Sequence, residues 1–363
     1  MAFISLRIAS FRNLCDAEYD IKGKDIFLIG ENGQGKTNFL EALYYASYGS
    51  SFRGVQDKEL IRIGEKDCSV SARFGTSFIN EVTLIYKDGK KSITVDNKKV
   101  EDRKELLSVA PCIVFCHEDM EFVSGAPERR RWFFDQTQSL CDPFYLETIR
   151  NYRKVLKTRN ILLKKINGFI SQEDVSLLDS LDTQLVRYGY ELIKNRQDAV
   201  ITFSRIFKPL YREISGIDDV TIRYTPSWDW DNNDTLIAEL LKRRETDISM
   251  GTTFSGPHRD RYVFIRKGCE FSGKASTGQR RLLALLLRIA QASIFSEKTG
   301  KNSVFLLDDV LLELDGEKRR KFLSLMPQYD QAFFTFLPEE PYEHYREKDT
   351  IIYNVKEGML EKS

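Results

Sequence analysis

The eight residues Gly30–Thr37, GENGQGKT, have the spacing of a phosphate-binding loop: a glycine, four residues, then Gly-Lys-Thr. They follow an apolar run, DIFLIG, and lead into KTNFLEALYYASYG, which reads as a helix closed by Gly49. A strand, a glycine turn and a helix are the context in which such a loop works. Gly30, Gly33 and Gly35 free the backbone so that successive N–H groups can wrap a phosphate, with Glu31, Asn32 and Gln34 completing the turn. Lys36 is then placed for the β- and γ-phosphates of a nucleoside triphosphate such as ATP, and Thr37 for Mg²⁺. That metal needs a carboxylate from the end of another apolar strand, and SVFLLDD supplies two. Asp308 is the expected Mg²⁺ partner and Asp309 the group that orients an attacking water. Lys36, Asp308 and Asp309 are the candidate catalytic residues.

A second anion cradle is suggested by KASTGQRRLLALLLRIAQ, where small residues run into a strongly apolar helical pattern. A helix starting there presents bare N–H groups and about half a positive charge at its tip. Ser276, Gly278 and Gln279 stand at that tip. More than half of the chain separates Lys36 from Asp308, so a large segment is inserted between the two parts of one nucleotide site.

The elements that must position these residues divide the chain. The opening FISLRIASFRNL alternates like a strand, and EVTLIYKDGKKSITVDNKKV reads as an antiparallel meander turning at Asp88-Gly89 and Asp96-Asn97. From Asp142, a plausible N-cap followed by Pro143, the pattern is helical. Tyr145, Ile149, Tyr152, Leu156, Leu163 and Ile166 mark one apolar face, and Leu177, Leu178, Leu181, Leu185, Tyr188 and Leu192 another. These predict an antiparallel helical hairpin with a turn near NGFISQED, and a loop at SWDWDNNDT. SVFLL, AFFTF and TIIYNV are strands near the end. The fold class is therefore α/β: a P-loop lobe with an antiparallel β meander, residues 1–118 and 290–363, and a mainly helical second lobe, residues 119–289, carrying the second cradle.

The chain has 363 residues, 30% of them charged, and a formal net charge of +1, so any contact with a polyanion must come from a local patch. One candidate is the run Arg150, Arg153, Lys154, Lys157, Arg159, Lys164 and Lys165, which holds no acid. It is either a phosphate-binding face or a solvated one. Arg129-Arg130-Arg131 is expected to pair with Glu128 and Asp135, and His258 to be structural. Cys112, Cys116 and His117 look like ligands, but the six cysteines contain no CxxC pair and read as reduced thiols. No run is long and apolar enough to span a bilayer, and Arg7 and Arg12 break the pattern of a signal peptide, so a cytoplasmic chain without membrane association is expected.

Four segments, ENGQGKTNFLEALYYAS, GPHRDR, ASTGQRR and LLDDVLLELD, resemble motifs of the RecF family of bacterial DNA-repair proteins and, more broadly, the ABC-type ATPase heads that include SMC proteins. The resemblance implies an ABC-type head in which Ser276-Thr277-Gly278-Gln279 is the signature motif, contacting the γ-phosphate of a nucleotide held by another subunit. It implies a D-loop at Glu313-Leu314-Asp315 and a phosphate-side pair at Arg12-Asn13. It also implies an ATP-dependent homodimer that binds single-stranded and gapped or junction DNA in repair, replication and the SOS response, working with RecO, RecR and RecA. Three departures stand out. His117-Glu118-Asp119 occupy the place of a Q-loop glutamine, Thr335-Phe336 that of a transporter head's histidine, and Arg261 that of a second aspartate. Asp309 stands where transporters have glutamate; a tenfold slower rate needs only about 1.4 kcal/mol, so slow hydrolysis is expected. The alternative, an ATPase subunit of a transporter, is weakened by the missing histidine and the insertion. A long-armed SMC protein is excluded by the short insertion.

Overall fold

The computed structural model describes residues 2–75, 78–166, 170–228, 233–311 and 314–363. These form two compact units, Met1–Asp119 with Phe295–Ser363, and Met120–Ile294.

The first unit is built on two sheets. One is a parallel sheet ordered Ile351–Lys356, Asp25–Ile29, Gln331–Phe336, Val304–Leu307, Cys112–Phe115, with Met359–Lys362 added antiparallel at its outer edge. Its strands Asp25–Ile29, Val304–Leu307 and Cys112–Phe115 are buried throughout, as the apolar runs IFLI, VFLL and CIVF require. The other sheet is antiparallel, ordered Ala17–Asp20, Ala2–Ala9, Cys68–Gly75, Ile79–Lys87, Lys90–Val95, Lys98–Lys99. Asp88-Gly89 and Asp96-Asn97 turn its hairpins, all four at left-handed φ between 50° and 72°. Those angles are what two-residue hairpin turns need to match strand twist. The helix Lys36–Tyr48 shares a core with both sheets through Phe39, Leu40 and Leu43. Gly49 ends it at φ 62°, its N–H donating to the Tyr45 carbonyl at 2.8 Å.

The second unit is mainly helical. Asp142 caps Pro143–Lys165, its carboxylate accepting from the Phe144 N–H at 2.9 Å. This helix packs along Gln172–Ser215, 44 residues long, and the pairings Arg159 with Asp182 and Asp135 with both Tyr145 and Arg196 show the two running antiparallel. Tyr145, Ile149, Tyr152, Leu163, Leu178, Leu185 and Leu192 fill the seam, as the periodicity predicts; Leu177, expected there, is 48% exposed instead. It directly precedes Leu178, and one residue step turns the helix by about 100°, so only one of the two can face the seam. The helix Asn233–Met250 and the antiparallel strands Val220–Thr225, Arg261–Arg266 and Cys269–Glu270 had no expectation. The expected turns at NGFISQED and SWDWDNNDT lie partly outside the described residues.

Candidate nucleotide site

The glycine loop leaves the C-terminal end of Asp25–Ile29 and enters the helix Lys36–Tyr48. Gly33 and Gly35 sit at φ 79° and 119°, and a Cβ on Gly30 would lie 2.3 Å from the Val355 carbonyl oxygen, so no side chain is tolerated there. The loop is braced from outside. Asn13 donates from Nδ2 to the Gly33 carbonyl at 3.1 Å and accepts from Asn38 at 2.7 Å. Gln34 turns away, accepting from the Glu357 N–H at 2.6 Å. Arg12 is committed to the buried Glu41, with Nε and Nη2 at 2.9 and 3.1 Å from its carboxylate, rather than to the phosphate side of the loop.

A pocket of about 260 Å³ lies over the loop, lined by Glu31, Asn32, Gly33, Gly35, Lys36, Thr37, Asn38, Arg53 and Asp309. Gly30 and Gln34 shape the loop without lining the pocket. Lys36 is buried, and its ammonium donates to the carbonyls of Gly30 and Glu31. Burial holds its pKa below the usual lysine range, against the pull of Asp309, Asp308 and Glu31.

The Val304–Leu307 strand ends at the two acids. Thr37 Oγ1 donates to Asp308 Oδ1 at 2.9 Å, which brings residues from opposite ends of the chain into one constellation. Burial, with the neighbouring Asp309 charge second, pushes the Asp308 carboxyl up to about 6. A hydroxyl and a carboxylate beside a second acid suit Mg²⁺, which takes one or two protein oxygens and fills its octahedron from phosphate and water. The donor set therefore fits the metal. Among the described residues no group of three or more His, Cys, Asp or Glu is placed to hold a metal ion by itself.

Asp309 adopts φ 52°. Its N–H donates to Thr335 Oγ1 at 2.8 Å, and the Thr335 hydroxyl lies 3.0 Å from Asp309 Oδ1. Thr335, noted from sequence only as a place without histidine, thus holds the second acid. Arg53 was also missed: it lines the pocket with Nη1 3.2 Å from Asn38 Oδ1. Its sequence setting, a polar turn after Gly49, carries no signal of this.

Ser276, Gly278 and Gln279 lie in the second unit, at the start of the helix Thr277–Thr299. The tip is not bare, as the sequence suggested. The Ser276 N–H donates to Gln279 Oε1 at 2.8 Å and the Gln279 N–H to Ser276 Oγ at 3.3 Å, a reciprocal cap. Gly278 is exposed, and a Cβ there would meet nothing within 4 Å. Glu313 of the expected D-loop lies outside the described residues; Asp315 caps the helix Gly316–Ser324.

The remaining candidates resolve as follows. Asp260 of GPHRDR accepts from Arg196 at 2.7 Å and from the Ser227 N–H at 2.8 Å, while Arg261 is exposed. His258 is held on both nitrogens, by the Tyr152 hydroxyl at 2.8 Å and the Thr253 carbonyl at 2.9 Å. Arg130 and Arg131 donate to backbone carbonyls of Tyr262, Gly125 and Asp260, and Asp135 pairs with Arg196, so the expected pairing within residues 128–135 is corrected. Arg159 leaves the cationic run altogether: it is fully buried between Asp182 and Asp247 at 2.6 and 2.7 Å. Cys112 is buried against Ser47 Oγ at 2.9 Å, its thiol pushed up to about 12, and Cys116 lies 3.7 Å from Asp119 Oδ1. Among the described residues no helix is long and apolar enough to cross a membrane.

Residues 3–360 match the family model described as RecF/RecN/SMC N terminal domain. The chain is 44% identical to the DNA replication and repair protein RecF of Treponema pallidum, covering 96% of this chain and 98% of that one. It is 32% identical to the RecF of Bacillus subtilis, covering 99% of each. Among solved structures it resembles the recombination mediator protein RecF-ATP in the RecFOR pathway, with TM-score 0.90 and 29% identity over 99% of this chain and 97% of that one. An SMC head bound to the C-winged helix domain of ScpA shares the fold at TM-score 0.56 and 15% identity. The expected ABC-type α/β head is therefore the fold, and the transporter alternative is not favoured. A P-loop and an acid-ended strand joined through Thr37 and Asp308, on a chain that aligns end to end with these relatives, place it plainly: it belongs to the RecF family of DNA replication and repair proteins.

Proposed function

We propose that the chain is an ATP-dependent DNA-binding switch of recombinational repair. ATP joins two copies into a dimer on DNA and slow hydrolysis releases them. Residues 1–118 and 290–363 form the ATPase lobe, and residues 119–289 the lobe that offers Ser276–Gln279 to the partner's nucleotide. The observation that carries this reading is the Thr37–Asp308 hydrogen bond at 2.9 Å, which assembles a phosphate loop and a metal carboxylate beside Asp309. Similarity to a RecF solved with ATP, described within the RecFOR pathway, supports ATP as ligand and RecO- and RecR-type mediators as partners, and the sequence resemblance adds RecA downstream.

Each residue has a physical task. The N–H groups of Gly33–Thr37 receive phosphate oxygens. Lys36 exchanges the Gly30 and Glu31 carbonyls for the β- and γ-phosphates, and its buried charge is worth more there than in water. Thr37 and Asp308 would hold Mg²⁺, which would supply positive charge to offset that of the phosphates. Asp309, fixed by Thr335, orients water; general-base assistance of this kind contributes about 10²- to 10⁴-fold.

Lys36→Met tests the reading. It removes the loop's own cation and keeps the apolar stem. Binding of a fluorescent ATP analogue should be lost, and sedimentation with ATP, with or without DNA, should show only monomer. Unchanged affinity removes the P-loop from the account.

A further inference from the structure

The second unit holds a larger pocket, of about 480 Å³, inside the range of about 300–1,000 Å³ usual for ligand sites. It opens between Pro127–Cys141, Pro143–Lys165 and the GPHRD turn, none of which contributes to the nucleotide pocket. Four guanidiniums line it, from Arg131, Arg153, Arg196 and Arg259, against two carboxylates, Glu128 and Asp135. The buried Asp135 is already paired: Arg196 grips both its oxygens, at 3.0 and 2.9 Å, and Tyr145 donates to it at 2.6 Å. Arg196 also holds the buried Asp260 at 2.7 Å, so the four guanidiniums stand against three carboxylates, Asp135, Asp260 and Glu128, an excess of one positive charge. Arg153 is 60% exposed and reaches Asp135 at the long distance of 3.8 Å, and Arg259, packed over the Phe254 ring at 5.7 Å, has no ion-pair partner among the described residues.

The rest of the lining is apolar and aromatic. Trp132 is 38% exposed and stacked on Phe122 with 26° between the rings, beside Ile149 and Leu156. Guanidiniums next to a partly exposed indole suit a ligand with a phosphate and a flat ring. The helix that supplies Arg153 continues with the exposed Lys154 beside it and the exposed Lys157, one turn or about 6 Å further. The cationic lining therefore extends out of the pocket along a helix face, as a strand needs and a free mononucleotide does not.

We propose that this pocket receives one nucleotide of a single DNA strand, its phosphate on Arg153 and Arg259 and its base against Trp132, while the strand follows Lys154 and Lys157. The proposal rests on the reading that the chain binds DNA, and names where.

The test uses the full chain and a fluorescein-labelled oligothymidylate, with anisotropy measured across a range of KCl. Arg259→Ala, at an exposed position, should weaken binding about tenfold and reduce the salt slope by about 0.7, the value of one phosphate contact on a single strand. Glu128→Gln removes the opposing carboxylate and should tighten binding, which guards against a loss caused by misfolding. Unlabelled oligothymidylate should quench tryptophan emission in the wild type and not in Trp132→Phe. If the wild type binds and all three variants match it, the pocket is overturned while DNA binding stands. If the wild type does not bind at all, the DNA reading fails and the pocket assignment with it. Quenching by dTMP at the same nucleotide concentration, equal to that by the oligomer, would make this a mononucleotide site and overturn the strand. Displacement of the oligomer by oligoglutamate, equally effective on wild type and Arg259→Ala, would overturn the assigned phosphate contact.

Discussion

Asp309 sits at φ 52°, a left-handed conformation that aspartate tolerates better than most residues, and its position depends on Thr335 twice over. Replacing Thr335 by valine keeps the shape of the strand residue but leaves the Asp309 N–H unpaired, at about 1–3 kcal/mol. ATP affinity should hold while single-turnover hydrolysis slows. Asp309→Asn should go further: the dimer forms with ATP and then persists, dissociating at least about tenfold more slowly. A variant that leaves the dimer as fast as wild type contradicts the water-orienting role. His258 offers a test in pH. Burial holds it down to about 4, with Arg259, Arg131 and Arg196 adding repulsion, and Nδ1 is occupied by the Tyr152 hydroxyl. An unfolded histidine titrates near 6.5, so between those values the unfolded chain binds the extra proton. Stability contributed by neutral His258 is complete above pH 6.5 and falls as pH drops toward 4, by at most about 3 kcal/mol. In urea unfolding, wild type should lose more stability than His258→Gln between pH 7 and pH 5; equal losses refute the shift.

At the scale of elements, the helix Pro143–Lys165 shows what a sequence reading resolves and what it misses. Its cap, its first proline and its buried face were legible, because Asp142, Pro143 and the three-four spacing act within a few residues. The cationic run was misread as one surface. Arg159 follows Tyr145, Ile149, Tyr152 and Leu156 on the buried side, so helical period alone takes it away from Lys154 and Lys157. The partners that permit its burial, Asp182 and Asp247, lie on other helices far along the chain and carry no local signal. The same holds for Thr335 with Asp309, joined across neighbouring parallel strands. By contrast the hairpin turns and the P-loop were readable, since each is a local backbone requirement. The buried network gives a sharp contrast in stability. Asp182→Ala leaves part of the Arg159 charge unpaired and also removes a partner of Arg244 at a short contact, so a loss of about 3–5 kcal/mol is expected. Lys157→Ala, at an exposed position of the same helix, should change stability by less than about 0.5 kcal/mol. Thermal or urea unfolding of the two variants side by side decides it, and similar losses would mean that Arg159 is not held as described.

For the whole molecule the question is why one chain carries two anion cradles. The glycine loop belongs to the first unit and the capped tip at Ser276–Gln279 to the second, where Ser276 is exposed and Gly278 has open space beside it. If each nucleotide is gripped by the loop of one copy and the tip of another, damage at the two places is complementary. Ser276→Arg should block the tip and Lys36→Met the loop, and each variant alone should fail to dimerise with ATP. In a mixture, a mixed dimer has one site damaged twice and one site with both halves intact. ATP-dependent association should then return in part, read as capture of one tagged variant by the other. If both cradles serve a nucleotide within one chain, every chain in the mixture stays defective and nothing returns. The added arginine also breaks the Ser276–Gln279 cap, worth about 1 kcal/mol, so its failure alone is ambiguous. Gly278→Ala separates the two effects. It keeps the cap, places a methyl group in the open space of the tip, and should weaken ATP-dependent dimerisation in the pure variant while giving stronger recovery in the mixture. Recovery with Gly278→Ala and ATP, absent with ADP, is the result that a shared site requires; no recovery with either tip variant counts against a site that one intact pair of halves can hold closed.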